Sequence, residues 1–395
     1  MNNYSLAMIP LDIAVISPVP THPQDAGNRA RIHSMLLELK ARGSRVHLIS
    51  VRMESGDELA MAKEWDGFYP LPYSRPRKRF LKRKIDRLCN VLKINYVCPY
   101  QIDDWYDEKL TSGIKEILER LRPAAVIVEY AFMTKIFEEV DNQVLKIVDT
   151  HDVLSGRQLL FASHNTKPNW FYTTKRGEST ALDRCDVVIA IQKREEEYFK
   201  KITQKKVITV GHVSRNQKIS DRIPDNNMIL FVGSNNKANI HGLEWFITKI
   251  FPKVREAIPD VSLVVVGKCA DNIHPIDGIE LVGKVDDLSN FYTRSKLVIN
   301  PVQFGSGLKI KSVEAVSFGC PLITTSEGAI GLETWIDKTI LVADTSDEFF
   351  RKTVALLTDF ELNSVLRKNT ADFIAEYNEN SARELFSILD RGSVS

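Results

Sequence analysis

The sequence predicts an α/β protein built as two doubly wound domains facing across a cleft. Three observations predict this class. Short β-branched runs alternate with amphipathic stretches along the whole chain. The runs are apolar on both faces, as strands buried in parallel sheets require. The alternation also restarts after a polar segment, "SRNQKISDRIPDNN" at 214–227. A chain of 395 residues has room for two domains at ~100–200 residues each.

The elements follow in order. The first half supplies "DIAVIS", "RVHLIS", "AAVIVE", "LKIVDT", "DVVIAI" and "KVITV" as strands. In "NRARIHSMLLELKARG", Ile32, Met35, Leu36 and Leu39 recur at helical spacing, and Gly43 ends the pattern. The second half supplies "MILFVGS", "SLVVVG", "IELVG", "KLVINP" and "PLITT" as strands, with helices over 241–257, 308–318 and 346–357. The expected division is 1–215, 216–378 and a closing polar helix in 379–395.

Composition narrows the class further. Hydrophobic residues make up 44% and charged residues 26%, a globular balance, while a net charge of +2 gives no general attraction to polyanions. The five cysteines form no CxxC pair and are odd in number, so free thiols in a reducing compartment are expected, and no zinc spacing occurs. "LDIAVISPV" lacks a basic leader and is followed by proline, so it reads as a strand rather than a signal peptide. No run approaches the ~20 apolar residues of a membrane span. These features lead to an expected cytoplasmic location.

Two glycine-bearing turns sit where ligands bind in doubly wound folds, past the carboxyl ends of strands. Gly27 lies just before the first helix, whose backbone N–H groups favour an anion. There is no GxGxxG, which argues against a standard dinucleotide site. The second turn is "GSGLKIKSVEA" at 305–315. Gly305 and Gly307 let a phosphate approach the backbone, and the following helix start adds positive potential. Lys311 and Glu314 share a helical face. A cation facing phosphate and a carboxylate facing ribose hydroxyls suit a nucleotide; a surface ion pair between the two is the competing reading. Lys309 reaches the same ligand only if it still belongs to the loop.

"NPVQFGSGLKIKSVEAVSFGCPLITTSEGAIGL" resembles the donor-site signature of GT-B glycosyltransferases of glycosyltransferase family 4. "FVGSNNKANIHGLEWFITKIFPKVREAIPDVSLVVVGK" is similar to the start of that family's C-terminal domain, and "DAGNRARIHSMLLELKARGSRVHLIS" to its first turn and helix. The resemblance implies a GT-B fold and retaining transfer of a sugar from a nucleotide-sugar donor, with no metal and no cofactor. It assigns Glu314 to the second glutamate of the E-x7-E motif, which holds the ribose. The diphosphate would meet the backbone at Gly27, the segment Gly305–Ser306–Gly307–Leu308–Lys309, and Lys311. Two positions depart from the pattern. Ser306 replaces the first glutamate of the motif, the residue that often contacts the donor sugar. Beside Gly233, Ser234 replaces an arginine of the diphosphate clamp, leaving Lys237 as the remaining cation there, with Lys309 and Lys311 as compensating charge.

Other residues are weighed on their setting. His151 and Asp152 follow a buried strand, and the resemblance places a histidine in this region near the donor sugar; a turn cap by Asp152 is the alternative. Arg157 and His22 are acceptor-side candidates, and His33 is expected to face solvent or pack. Glu178 resembles a family glutamate near the cleft. Asp103–Asp104 do not make a metal motif. From Arg75 to Arg87 eight Lys/Arg face one acidic residue, with Leu81, Ile85, Leu88 and Leu92 at helical spacing. Arg77, Arg79, Lys82 and Arg83 are therefore expected to meet an anionic membrane surface at the inner face, suiting a lipid-linked or carbohydrate acceptor; the solvated face of a core helix is the competing reading. The absence of interleaved aromatics argues against nucleic acid. The alternatives to transfer are another GT-B reaction, epimerase or phosphorylase, and a binding-only protein on a degenerate transferase fold.

Overall fold

The computed structural model describes residues 10–76, 84–85, 88, 91, 98–163, 170–214, 222–285, 287–305 and 307–389. Two compact units emerge: residues 1–24, 28–210 and 382–395 form one, and residues 25–27 with 211–381 form the other.

The first unit is built on β1 (Asp12–Ser17), β2 (Arg45–Val51), β3 (Gly67–Leu71), β4 (Ala125–Glu129), β5 (Leu145–Asp149), β6 (Val187–Ala190) and β7 (Lys206–Thr209). They lie in the order β3-β2-β1-β4-β5-β6-β7. All neighbours pair in parallel. Ile13, Ala14, Val15 and Ile16 on β1 are fully buried, which explains a continuous apolar run with no alternation. Helix α1 (Gly27–Ala41) packs Ile32, Met35, Leu36 and Leu39 into the core, the face its spacing predicts. A short helix α2 (Glu58–Glu64) is capped by Asp57, whose side chain accepts the Ala60 N–H.

The second unit repeats the plan with β8 (Met228–Val232), β9 (Ser262–Val266), β10 (Ile279–Gly283), β11 (Leu297–Asn300), β12 (Leu322–Thr324) and β13 (Ile340–Val342). The order is β10-β9-β8-β11-β12-β13, again parallel throughout. Its core joins these strands to helices through Phe246, Phe251, Phe349 and Leu356.

The expected helix over 241–257 is two helices, Lys237–Lys249 and Phe251–Ala257. Asn236 caps the first by accepting the Asn239 N–H, so it starts earlier than the apolar spacing suggests. Pro252 opens the second, where a missing N–H costs nothing. The last helix runs Thr370–Leu389, longer than expected at its start, and its residues 382–389 group with the first unit. Cys98, Cys185, Cys269 and Cys320 carry free thiols. No described helix is long and apolar enough to cross a membrane.

Candidate functional site

In the second unit the strand order reverses between β8 and β11, which are hydrogen-bonded neighbours. Crevices at the carboxyl ends of such a strand pair are where open α/β sheets bind ligands. Gly233 and Ser234 leave β8 there. The segment 301–309 leaves β11 there and leads into the helix Ile310–Ser317. The Gly233–Ser234 stretch and the glycine-bearing turn that begins at 305 therefore converge at one switch point.

Gly305 (φ 143°) and Gly307 (φ 71°) occupy the left-handed region, where a side chain is strained. Lys309 is the N-cap of the helix, with extended φ/ψ of −83° and 90°. It thus belongs to the loop, which settles its condition. Its Nζ donates to the Gly307 carbonyl and to Glu327 Oε1, each at 3.0 Å. Lys311 lies in the first helical turn. Its Nζ donates to Asn239 Oδ1 at 2.6 Å and sits 4.6 Å from the Phe231 ring centroid. Asn239 in turn donates to the Ser234 carbonyl at 2.9 Å, linking the two loops. Lys311 has no carboxylate partner among the described residues, and burial pulls its pKa down to about 7.

Glu314, one turn further on, is densely surrounded by protein while keeping a partly accessible surface. Its carboxylate has no hydrogen-bond partner among the described residues, and burial pushes its pKa up to about 7. Lys311 and Glu314 do not pair with each other, so the surface ion-pair reading does not describe them. A cation and an anion, each partly withdrawn from water without an opposite charge, cost free energy that a ligand carrying the complementary groups would recover. Lys237 is exposed at the start of its helix. Ser306 lies outside the described residues, as do Arg77, Arg79, Lys82 and Arg83.

The first unit has its own convergence past β4 and β5. The parallel register sets Glu129 opposite Asp149 at the ends of the two strands. Arg31 on α1 grips Asp149 with Nε to Oδ2 at 3.0 Å and Nη2 to Oδ1 at 2.8 Å, all fully buried. His151 places Nε2 2.6 Å from Glu129 Oε2 and 3.6 Å from Asp149 Oδ2. Burial, reinforced by the Asp149 charge, raises the Glu129 pKa to about 7. Nδ1 of His151 is left without a partner among the described residues. Tyr130 stacks on the imidazole at 4.2 Å between centroids. Tyr130 (φ 71°) and His151 (φ 60°) both hold left-handed backbone, a strain that proteins concentrate at functional sites. Asn28 donates to the Tyr130 hydroxyl at 2.9 Å.

Asp152 is held by Arg157, Nη1 to Oδ2 at 2.7 Å. Glu178 is buried and accepts the backbone N–H groups of Leu154 and Ser155 at 2.7 and 3.2 Å, so it braces the loop after His151. Asp103 is bound by Arg184. Gly27 opens α1 but groups with the second unit.

Residues 226–359 match the family described as glycosyl transferases group 1. Over the whole chain the fold is GT-B, with two Rossmann-like units. A sucrose-phosphate synthase from Thermosynechococcus elongatus superposes with a TM-score of 0.70 at 15% identity, over 96% of this chain and 98% of that one. The pneumococcal O-GlcNAc transferase, in complex with UDP and GlcNAc, superposes at 0.67 with 12% identity, over 98% and 99%. In sequence, the chain is 24% identical to an uncharacterized 44.6 kDa protein in the cps region of Klebsiella pneumoniae, over 95% of this chain and 98% of that protein.

Within the second unit, the sequence reading missed Asn239 and Glu327, the partners of the two lysines. Asn239 sat in plain view in "SNNKAN", but nothing local marks which of three asparagines faces inward. In the first unit Arg31 and Glu129 were missed. The signal for Glu129 was a carboxylate ending a wholly apolar strand, an expensive position unless it is used.

Proposed function

We propose that the protein is a retaining glycosyltransferase resembling family 4, moving a sugar from a nucleotide-sugar donor to an acceptor hydroxyl. The observation that carries this reading is the pair Lys311 and Glu314 at the β8/β11 switch point, each partly buried without an opposite charge. A nucleoside diphosphate supplies what each lacks: phosphate oxygens for Lys311 and ribose hydroxyls for Glu314. Gly305 and Gly307 admit the diphosphate to the backbone, with Gly233, Ser234 and Lys237 at the opposite loop and Leu308 behind it. Departure of the nucleoside diphosphate is the step this charge assists, since fixed groups aimed at developing charge usually lower such barriers most. Neither a metal nor a cofactor takes part.

His151 and Asp152 are assigned to the sugar and acceptor side. Nε2 of His151 is tied to Glu129, so Nδ1 is the nitrogen available to a hydroxyl. Acceptor attack on the same face as the leaving group preserves the anomeric configuration. The cps-region relative supports a role in surface polysaccharide or glycoconjugate assembly. A lipid-linked acceptor would bring the protein to an anionic membrane surface through residues 75–94; Leu88 and Val91 of that stretch are 58% and 74% exposed.

The test is a thermal-shift screen of nucleotide sugars, followed by product analysis with the stabilising donor. Stabilisation grows with the ratio of ligand to dissociation constant. Donor-dependent glycosylation of an acceptor with retained anomeric configuration supports the reading. Epimerised nucleotide sugar formed without acceptor, or nucleotide binding with no donor consumed across a broad panel, overturns it.

A further inference from the structure

Independently of that reading, the geometry points to a divalent transition-metal site of the zinc type in the N-terminal unit, formed by His22, His33 and Glu64. The three come from separate elements: the loop after β1, helix α1 and the end of helix α2. Each offers one ligand atom, and these atoms lie within 4.8 Å of one another. Two imidazoles and a carboxylate form a borderline-soft donor set, suited to Zn2+ or Co2+ rather than to Mg2+ or Ca2+.

The surroundings are arranged for ligation. Neither the His33 ring nor the Glu64 carboxylate has a hydrogen bond to the described residues. His22 Nδ1 lies 3.0 Å from Thr21 Oγ1, so Nε2 is its nitrogen for a metal. Thr21 is fully buried, and its Oγ1 also accepts the Trp65 indole N–H at 3.0 Å. An Nδ1–H of His22 donating to that oxygen is the outer contact that metal-bound histidines use to fix ring orientation. Trp65 packs edge-on against both rings, at 6.3 and 5.5 Å. The loop itself is pinned. The Asp57 N–H donates to the His22 carbonyl at 3.0 Å, and a Cβ at Gly56 would meet that carbonyl at 2.8 Å. Three protein ligands leave one position for water or an incoming oxygen.

The experiment titrates the chelator-treated full chain with Co2+ and reads visible d–d absorption, then displaces Co2+ with Zn2+. One Co2+ per chain, with the intense bands of a four-coordinate site, is expected. His33→Ala should abolish the bands, and Glu64→Gln should weaken binding at least tenfold. Thr21→Val, which removes the outer contact and the acceptor of the Trp65 indole N–H while leaving all three ligands in place, should weaken it about 10–100-fold. Circular dichroism in chelator checks that each variant folds; Glu64→Gln and Thr21→Val carry the test if His33→Ala does not. His151→Asn, in the separate Glu129–Asp149–His151 cluster, should leave the bands intact. No stoichiometric binding by the parent chain overturns the proposal. So does undiminished binding by the Glu64 and Thr21 variants, or loss of the bands in His151→Asn alone.

Discussion

Replacing Glu314 with glutamine should loosen nucleotide binding while strengthening the fold, a combination that a structural carboxylate would not give. Glu314 has no hydrogen-bond partner among the described residues, and burial moves its pKa from 4.5 to about 7. Every tenfold weakening of its acidity corresponds to about 1.4 kcal/mol, so the ionised carboxylate costs the folded state about 3 kcal/mol at most. Solvent reaching its accessible edge reduces this to roughly 1–2 kcal/mol. Proton counting gives the sign. Below 4.5 both states are protonated and the cost is absent. Between 4.5 and about 7 the unfolded chain ionises first and binds fewer protons, so stability falls as pH rises. Glu314→Gln should therefore gain roughly 1–2 kcal/mol over the parent at about pH 8 and almost nothing at about pH 4.5. A ribose hydroxyl bonded to a charged group is worth about 1.5–3 kcal/mol, so nucleoside diphosphate affinity should drop about 10–150-fold. Urea unfolding at the two pH values and calorimetric titration read both quantities. Unchanged affinity, or destabilisation at the higher pH, would refute the reasoning.

Nucleotide binding should also take up a proton, because burial lowers the Lys311 pKa to about 7 and a diphosphate favours the charged amine. Affinity should then fall up to about tenfold per pH unit above ~7, and calorimetry in buffers of different ionisation enthalpy measures it. Arg31→Met strands Asp149 in the core and should cost about 3–5 kcal/mol in urea unfolding. His151→Ala should lower turnover about 10²–10⁴-fold if its Nδ1 handles the acceptor proton, with nucleotide affinity, read by calorimetry, unchanged. Neutralising Arg77, Arg79, Lys82 and Arg83 together should weaken sedimentation with anionic vesicles by ~1 kcal/mol per charge; equal sedimentation contradicts a membrane face.

Central strands were legible because burial on both faces writes a continuous apolar run, as on β1. Of the four edge strands, β7 and β10 were legible, while β3 and β13 were not. β3 contains Gly67 and Pro70, which propensity rejects but an edge position tolerates. β13 has only 3 residues, too few for a period. Lys311 and Glu314 were readable because one helical face joins residues close in sequence. Glu129, Asp149 and Arg31 are joined by strand register and by a helix more than 100 residues away in the chain, which no local pattern encodes. The role of Glu178 was also hidden: a helical glutamate bracing two backbone amides looks in sequence like any surface glutamate.

The most direct test is a crystal structure of the full chain with the nucleoside diphosphate of its stabilising donor. Ribose hydroxyls should lie on Glu314, and the diphosphate against Lys311 and the Gly305–Gly307 backbone. A nucleotide bound elsewhere, or none at saturating concentration, would contradict the assignment.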